Sequence, residues 1–182
     1  MKYKLGDFFK QRKGFIQIED TKEYKRCRLQ VRARGIVLRD IVPGSKIKTK
    51  KQQVCLAGDF VVAEIDAKVG GFGFIPNELD GSIVSSHYFI FEIDESTVLA
   101  EYFALIIKLE AFQSKFRARG STNYAAIRPH DFLNIDVEIP NPTKQTEIVN
   151  KYKKASKLEE KIKNQLELLD ELKEKIIIYE QE

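Results

Sequence analysis

The stretch that decides the fold is Ile139-Pro140-Asn141-Pro142-Thr143-Lys144-Gln145-Thr146-Glu147-Ile148-Val149, with everything that follows it. Pro140 and Pro142 punctuate the chain. Pro142 suits the first turn of a helix, with Asn141 as its N-cap. From Thr143 to Glu182 there is neither Gly nor Pro. That predicts a single helix of about 39 residues, hence ~58 Å at 1.5 Å per residue. Ala155, Ile162, Leu169 and Ile176 recur at intervals of seven, and Leu158, Gln165, Leu172 and Tyr179 each follow three residues later. This is a heptad seam with one polar member, Gln165. Charged residues fill much of the rest of Lys157–Glu174. The seam is therefore expected to pair with another helix. A helix packed along its own domain is the alternative.

Upstream, residues 1–95 read as strands and loops. Tyr24–Arg34 alternates, with Cys27, Leu29, Val31 and Ala33 on one side and Arg26, Arg28, Gln30, Arg32 and Arg34 on the other. Period two predicts one strand with an apolar and a basic face. Phe60–Ile65 and Ile83–Ile93 are apolar runs suited to buried strands. Turn signals separate them at Pro43-Gly44-Ser45, Ala57-Gly58-Asp59, Gly70-Gly71-Phe72-Gly73 and Asp80-Gly81. Leu99, Tyr102, Phe103, Ile106, Leu109 and Phe112 then recur at helical spacing, predicting one amphipathic helix over residues 97–116. Phe132–Ile139 reads as a last short strand. The expected class is α+β: a mixed, β-rich domain over residues 1–140, then a long coiled-coil-forming α-helix over 141–182.

Composition bounds what such a chain can be. It has 182 residues, 43% hydrophobic and 32% charged, which is too apolar for a disordered chain. No run of about 18 apolar residues exists to cross a membrane, and the N-terminal residues lack the apolar core of a signal peptide. Cys27 and Cys55 are the only cysteines, too few for a disulfide framework or a four-cysteine zinc site. A cytoplasmic protein with reduced thiols is expected.

The net charge of +4 conceals an uneven distribution. Residues 1–60 carry 16 Lys/Arg against 6 Asp/Glu, residues 61–143 carry 6 against 12, and residues 144–182 carry 9 against 9. Within Lys22–Lys51 only Glu23 and Asp40 oppose 11 basic residues. Such an excess suggests a polyanionic partner, nucleic acid or an anionic membrane surface; a lysine-rich solvated surface is the plainer reading. The kind of base favours nucleic acid, because the planar fork of arginine suits phosphates and guanine edges. Arg26, Arg28, Arg32 and Arg34 are the first candidates, followed by the basic loop Lys46, Lys48, Lys50 and Lys51, and by Lys68. The loop Arg117-Ala118-Arg119-Gly120-Ser121-Thr122-Asn123-Tyr124, continuing to Arg128, combines arginines, hydroxyls, an amide and an aromatic ring. It reads equally as a helix C-terminus closed by Gly120.

Catalytic signatures are missing. Gly70-Gly71-Phe72-Gly73 is not a dinucleotide fingerprint, and no phosphate-binding loop occurs. His87 and His130 are the only histidines, and neither has metal-ligand spacing with a cysteine. Asp66-Ala67-Lys68 resembles half of a metal-dependent nuclease signature, but such a site needs a further acidic residue beside it. No catalytic residue, metal or cofactor is expected. A protein-interaction module whose basic patch only solubilises it, and a nuclease using Asp66, are the competing readings.

Taken in order, several segments resemble the specificity subunit of type I restriction-modification enzymes. The segment Ile139–Val149 is similar to the family's link between a target recognition domain and a long helix. Asn141 stands where leucine is usual, Thr143 where a second proline is usual, and Lys144 is a further departure. Ala57-Gly58-Asp59-Phe60-Val61-Val62 resembles an early strand of the family. Asp80-Gly81-Ser82-Ile83-Val84-Ser85-Ser86 resembles the lead-in to its central strand, and Gly120-Ser121-Thr122 with Ile127-Arg128 the loop after its helix. The resemblance spans essentially the whole chain. It implies a protein that is not itself an enzyme but reads double-stranded DNA for a methyltransferase subunit and a restriction subunit. A complete member has two recognition domains and two antiparallel helices that space them over a split target. This chain has one of each, so a half-subunit or a fragment is implied. A homodimer through antiparallel helices would restore the arrangement. The expected DNA contacts are Arg26, Arg28, Arg32, Arg34, Lys48, Lys50, Lys51, Lys68, Arg117, Arg119, Asn123, Tyr124 and Arg128. The expected dimer seam is Ala155, Leu158, Ile162, Gln165, Leu169, Leu172, Ile176 and Tyr179.

Overall fold

The computed structural model describes residues 1–117 and 126–179. The chain divides into two compact units, Met1–Pro142 and a second that begins at Thr143. The first is built on three antiparallel or mixed sheets. β1 (Lys2–Lys4) pairs with β11 (Asp136–Glu138) and so ties the two ends of the unit together. The second sheet runs in the order β2 (Phe9–Arg12), β10 (Tyr88–Ile93), β7 (Phe60–Ala63), β8 (Phe72–Phe74). The third runs β3 (Phe15–Gln17), β6 (Lys51–Val54), β9 (Ile83–Val84), β4 (Glu23–Gln30), β5 (Gly35–Pro43). Three short helices, α1 (Ala100–Ile106), α2 (Glu110–Arg117) and α3 (Pro129–Leu133), complete the unit.

Phenylalanine supplies much of the core. Phe9, Phe60, Phe91, Phe103 and Phe132 meet at ring-centroid distances of 4.5–6.2 Å, the separations that edge-to-face and offset rings prefer. They join the four-stranded sheet to α1 and α3. A second cluster, including Cys27, Ile36, Cys55, Val61, Val84 and Ile90, lies between the two larger sheets. Both thiols are buried and free.

A buried ion pair braces the four-stranded sheet, and its arginine also reaches across to the five-stranded one. Arg12 on β2 donates from Nε to Asp59 (3.2 Å), from Nη2 to the same carboxylate, and from Nη2 to the Val54 carbonyl at the end of β6 (2.9 Å). The Asp59 carboxylate, 5% exposed, also accepts the Leu56 N–H at 2.6 Å. Hydrogen bonding to Asp59 raises the Arg12 pKa above its ordinary value.

Five expected elements differ in extent, the least of them the strand expected over Phe60–Ile65, which ends at Ala63. The strand expected over Tyr24–Arg34 ends at Gln30, and residues 31–34 form the turn into β5. Ile83–Ile93 is two strands in two different sheets; buried Gln53 holds the crossing by donating to the Ser85 carbonyl (3.1 Å) and the Tyr88 carbonyl (2.8 Å). The helix expected over 97–116 breaks between Ile106 and Glu110. There the buried Gln113 side chain donates to the Ile107 and Lys108 carbonyls (3.1 and 3.4 Å), occupying acceptors that a continuous helix would use internally. Of Phe132–Ile139 only Asp136–Glu138 is strand, since Pro129 starts a helix that includes Phe132.

The described part of the second unit is all helix, belonging to α4 (Pro142–Tyr179), which is unbroken as expected. Most of its apolar side chains are exposed, among them Leu158, Ile162, Leu169, Leu172, Ile176 and Tyr179. Leu166 and Leu168, also exposed, flank the seam on both sides and widen it. Among the described residues no helix is long and apolar enough to cross a membrane.

Candidate nucleic-acid interface

The β4–β5 hairpin organises the basic residues. Its strands pair antiparallel from Glu23↔Pro43 to Gln30↔Gly35, with a register shift between Arg26 and Cys27 that leaves Arg39 as the extra residue of β5. A bulge of this kind re-aims a side chain out of the ladder. Beyond β5, Pro43-Gly44-Ser45 turns the chain back. Gly44 is required there, because a Cβ would fall 2.0 Å from the Glu19 carbonyl oxygen. The returning segment brings Lys46 and Lys48 to face Arg26 and Arg39 across a groove of about 390 Å³. Thr49, Gln52, Ser85 and Tyr88 complete its polar lining. Gln52 is 7% exposed and donates from Nε2 to the Thr49 carbonyl at 2.6 Å.

Four cations thus line one concavity without an acidic side chain in its wall. One is already engaged: Arg26 donates from Nε and Nη2 to the two Asp40 oxygens at 2.6 Å each. This hydrogen-bonded pairing raises the Arg26 pKa and holds the Asp40 carboxyl below the usual carboxylate range. Arg39 stands 3.8 Å from the same carboxylate. Lys46 and Lys48 are exposed and form no ion pair with a described carboxylate. A concave cationic surface fits a convex anion, and the phosphodiester ridge of a duplex is one.

A second cluster lies at the hairpin tip. The Arg32 N–H donates to the Val69 carbonyl (2.6 Å) and the Ala33 N–H to the Gly70 carbonyl (2.8 Å). These bonds set the exposed Arg32 and Arg34 beside the single turn Asp66–Val69, which carries Lys68. α2, which ends at Arg117, packs on the same turn.

The remaining expected contacts are dispersed. Arg28 is exposed on β4 opposite Val37. Lys50 is held by Asp20 (2.5 Å) and the Gly44 carbonyl (2.8 Å). The Lys51 ammonium sits over the Phe15 ring, 4.7 Å from its centroid. Arg128 pairs with Glu64 at 2.5 Å, and the other Glu64 oxygen meets His87 Nδ1 at 2.9 Å. Arg119, Asn123 and Tyr124 lie outside the described residues. Four arginines on one continuous strand face are not what the fold presents: Arg26 and Arg28 lie on β4, Arg32 and Arg34 in the turn. Neither Arg39 nor Gln52 is among the contacts expected from the sequence, and Lys46 is expected only as part of the basic loop. The turn signal at Pro43-Gly44-Ser45 was the available cue, because a reversal there returns Lys46 toward β4. Asp66 is exposed, and no three described His, Cys, Asp or Glu side chains converge as a metal would require.

Known proteins carry related features. No curated protein matches the sequence. Among solved structures, the HsdS subunit from Thermoanaerobacter tengcongensis superposes with a TM-score of 0.68 at 16% identity, covering 89% of this chain and 43% of that one. A chain from the work "Structural basis underlying complex assembly and conformational transition of the type I R-M system" gives 0.71 at 16% identity, covering 90% and 44%. This chain spans less than half the length of either, and the likeness is one of fold, α+β with a long C-terminal helix. The family model described as "Type I restriction modification DNA specificity domain" matches residues 1–168. That match takes in the hairpin, the groove and over half of α4, and by it the chain belongs to the type I restriction-modification DNA specificity family.

Proposed function

We propose that this chain is a sequence-specific, non-catalytic DNA-binding specificity subunit of a type I restriction-modification enzyme. Residues 1–140 act as the target recognition domain, and residues 141–182 as the dimerising and spacing helix. Two copies pair through antiparallel α4 helices, with the seam residues Ala155 to Tyr179 covered by their symmetry mates. The two recognition domains then meet half-sites related by the same two-fold axis, so the preferred target is a split inverted repeat. Methylation and cleavage belong to separate methyltransferase and restriction subunits, in the cytoplasm. The observation that carries this reading is the family match over residues 1–168, which includes the cationic groove. The exposed apolar seam of α4 supports the dimer, since an apolar stripe of that length is poorly tolerated in water.

The experiment is to co-purify the chain with its methyltransferase and map the modified sites. Modification at a two-part inverted repeat, absent when this chain is withheld, is the expected result. Methylation or Mg²⁺-dependent cutting of DNA by the pure chain would overturn the non-catalytic assignment. Binding to DNA that is absent, or indifferent to salt, would overturn the DNA-reading assignment.

A further inference from the structure

The turn Val31–Arg34 closes against the preference of its own residues. Arg32 (φ 60°) and Ala33 (φ 50°) both occupy the left-handed region, which two-residue hairpin turns usually give to Asn-Gly or Gly-Gly. The conformation is imposed from outside, by the hydrogen bonds from the Arg32 and Ala33 N–H groups to the Val69 and Gly70 carbonyls. Gly70 is itself left-handed (φ 77°), and a Cβ there would lie 2.8 Å from the Ala33 nitrogen and 2.9 Å from the Arg32 Cα. Ala33 is buried, while Arg32 and Arg34 are exposed and pair with no described carboxylate.

Strained backbone that the surrounding fold over-determines is a mark of a site whose geometry is set before binding. Here the fold fixes the Cα of an exposed arginine in the turn where β4 meets β5, at the edge of the five-stranded sheet. An exposed arginine on a fixed backbone can reach a base edge with its side chain alone, and its fork matches guanine O6 and N7 in the major groove. The groove lined by Arg39, Lys46 and Lys48 is concave and suits the backbone instead. Resting on the DNA-binding reading above, we propose that this turn is the base-reading element of the domain, with Arg32 addressing a guanine in the major groove while Arg39, Lys46 and Lys48 hold the adjacent phosphates.

The test uses the full chain and a pool of randomised DNA duplexes, comparing the motif enriched by wild type, Arg32→Lys and Gly70→Ala. Lysine keeps the charge and loses the fork, so a phosphate contact survives and a bidentate guanine contact does not. Arg32→Lys should bind the unselected pool within about twofold of wild type, yet lose about tenfold or more in preference at one guanine position. Gly70→Ala should weaken preference at that same position, with far-UV circular dichroism reporting an intact fold. Arg32→Asn, whose residue tolerates a left-handed backbone, serves as the second substitution and should also lose that guanine. An unchanged motif in the Arg32 variants, or a loss spread evenly over all sequences, overturns the proposal and leaves DNA binding standing. A wild-type chain that enriches no motif overturns it too; if that chain also binds without salt dependence, the DNA-binding reading falls with it.

Discussion

Asp40→Asn tests the phosphate-clamp reading of the groove. The substitution keeps the size of the side chain and one oxygen able to accept from Arg26, and it removes one negative charge. In the native pair both Asp40 oxygens accept from Arg26 at 2.6 Å, and Arg39 stands 3.8 Å away. At neutral pH that pair offers no net charge to a phosphate, which leaves Arg39, Lys46 and Lys48 as the effective cations. Asparagine releases Arg26, so the groove gains one charge and room for one more phosphate contact. Each such contact steepens the slope of log K against log salt by about 0.9. Raising salt from about 50 to about 200 mM should then cost the variant roughly 3.5-fold more affinity than wild type. Affinity at the low-salt end should rise. Fluorescence anisotropy with a labelled duplex over a salt series reads both quantities. Weaker binding at every salt concentration would refute the reasoning, because it would make Asp40 a group that aims Arg26 rather than one that neutralises it. The pair also predicts behaviour in acid. Since the folded carboxyl is held below its ordinary value, its stabilisation is present above the unfolded carboxylate range and is lost as pH falls through the depressed value. The Asn variant should therefore lose less stability than wild type on acidification. Far-UV circular dichroism is the readout, as the chain has no tryptophan.

Two further outcomes follow from the packing. Asp59→Ala leaves the largely buried Arg12 guanidinium with only the Val54 carbonyl and Glu92 at 3.6 Å, removes the acceptor of the Leu56 N–H, and should cost about 2 kcal/mol in urea unfolding. Arg12→Met combined with Asp59→Leu should recover most of that loss, and a double variant as unstable as the single one would show that the buried charge is not the cause. Leu169→Asp with Leu172→Asp places like charges in the α4 seam and should give monomers by light scattering, with the fold of the first unit retained and split-target binding greatly weakened. A wild-type chain that is already monomeric at tens of micromolar would remove the homodimer.

The helix was the most legible part. Its evidence is local, an absence of Gly and Pro and a period of seven, and a helix needs only its own backbone to satisfy its hydrogen bonds. The broken helix between Ile106 and Glu110 was not legible, because the residue that satisfies its freed carbonyls, Gln113, acts through a side chain that periodicity treats as merely polar. The arginine alternation misled for a related reason. Arg26 to Arg34 keeps period two through the turn, and only pairing with β5 reveals that the ladder stops at Gln30↔Gly35.

By itself, the sequence determined the α+β class, the long terminal helix with its seam, the excess of positive charge within Lys22–Lys51, and the order of segments that resembles the specificity family. All of these depend on residue type and on spacing along the chain. Tertiary structure decided which of the basic groups are available. It neutralised Arg26 with Asp40, Lys50 with Asp20 and Arg128 with Glu64, recruited Arg39 through a bulge and Lys46 through a reversal at Gly44, and clamped Arg32 into a left-handed turn. Each of these joins residues brought together by sheet register or chain reversal. A charge acts on its partners over a few ångströms of space, and distance along the chain does not record which groups will come that close.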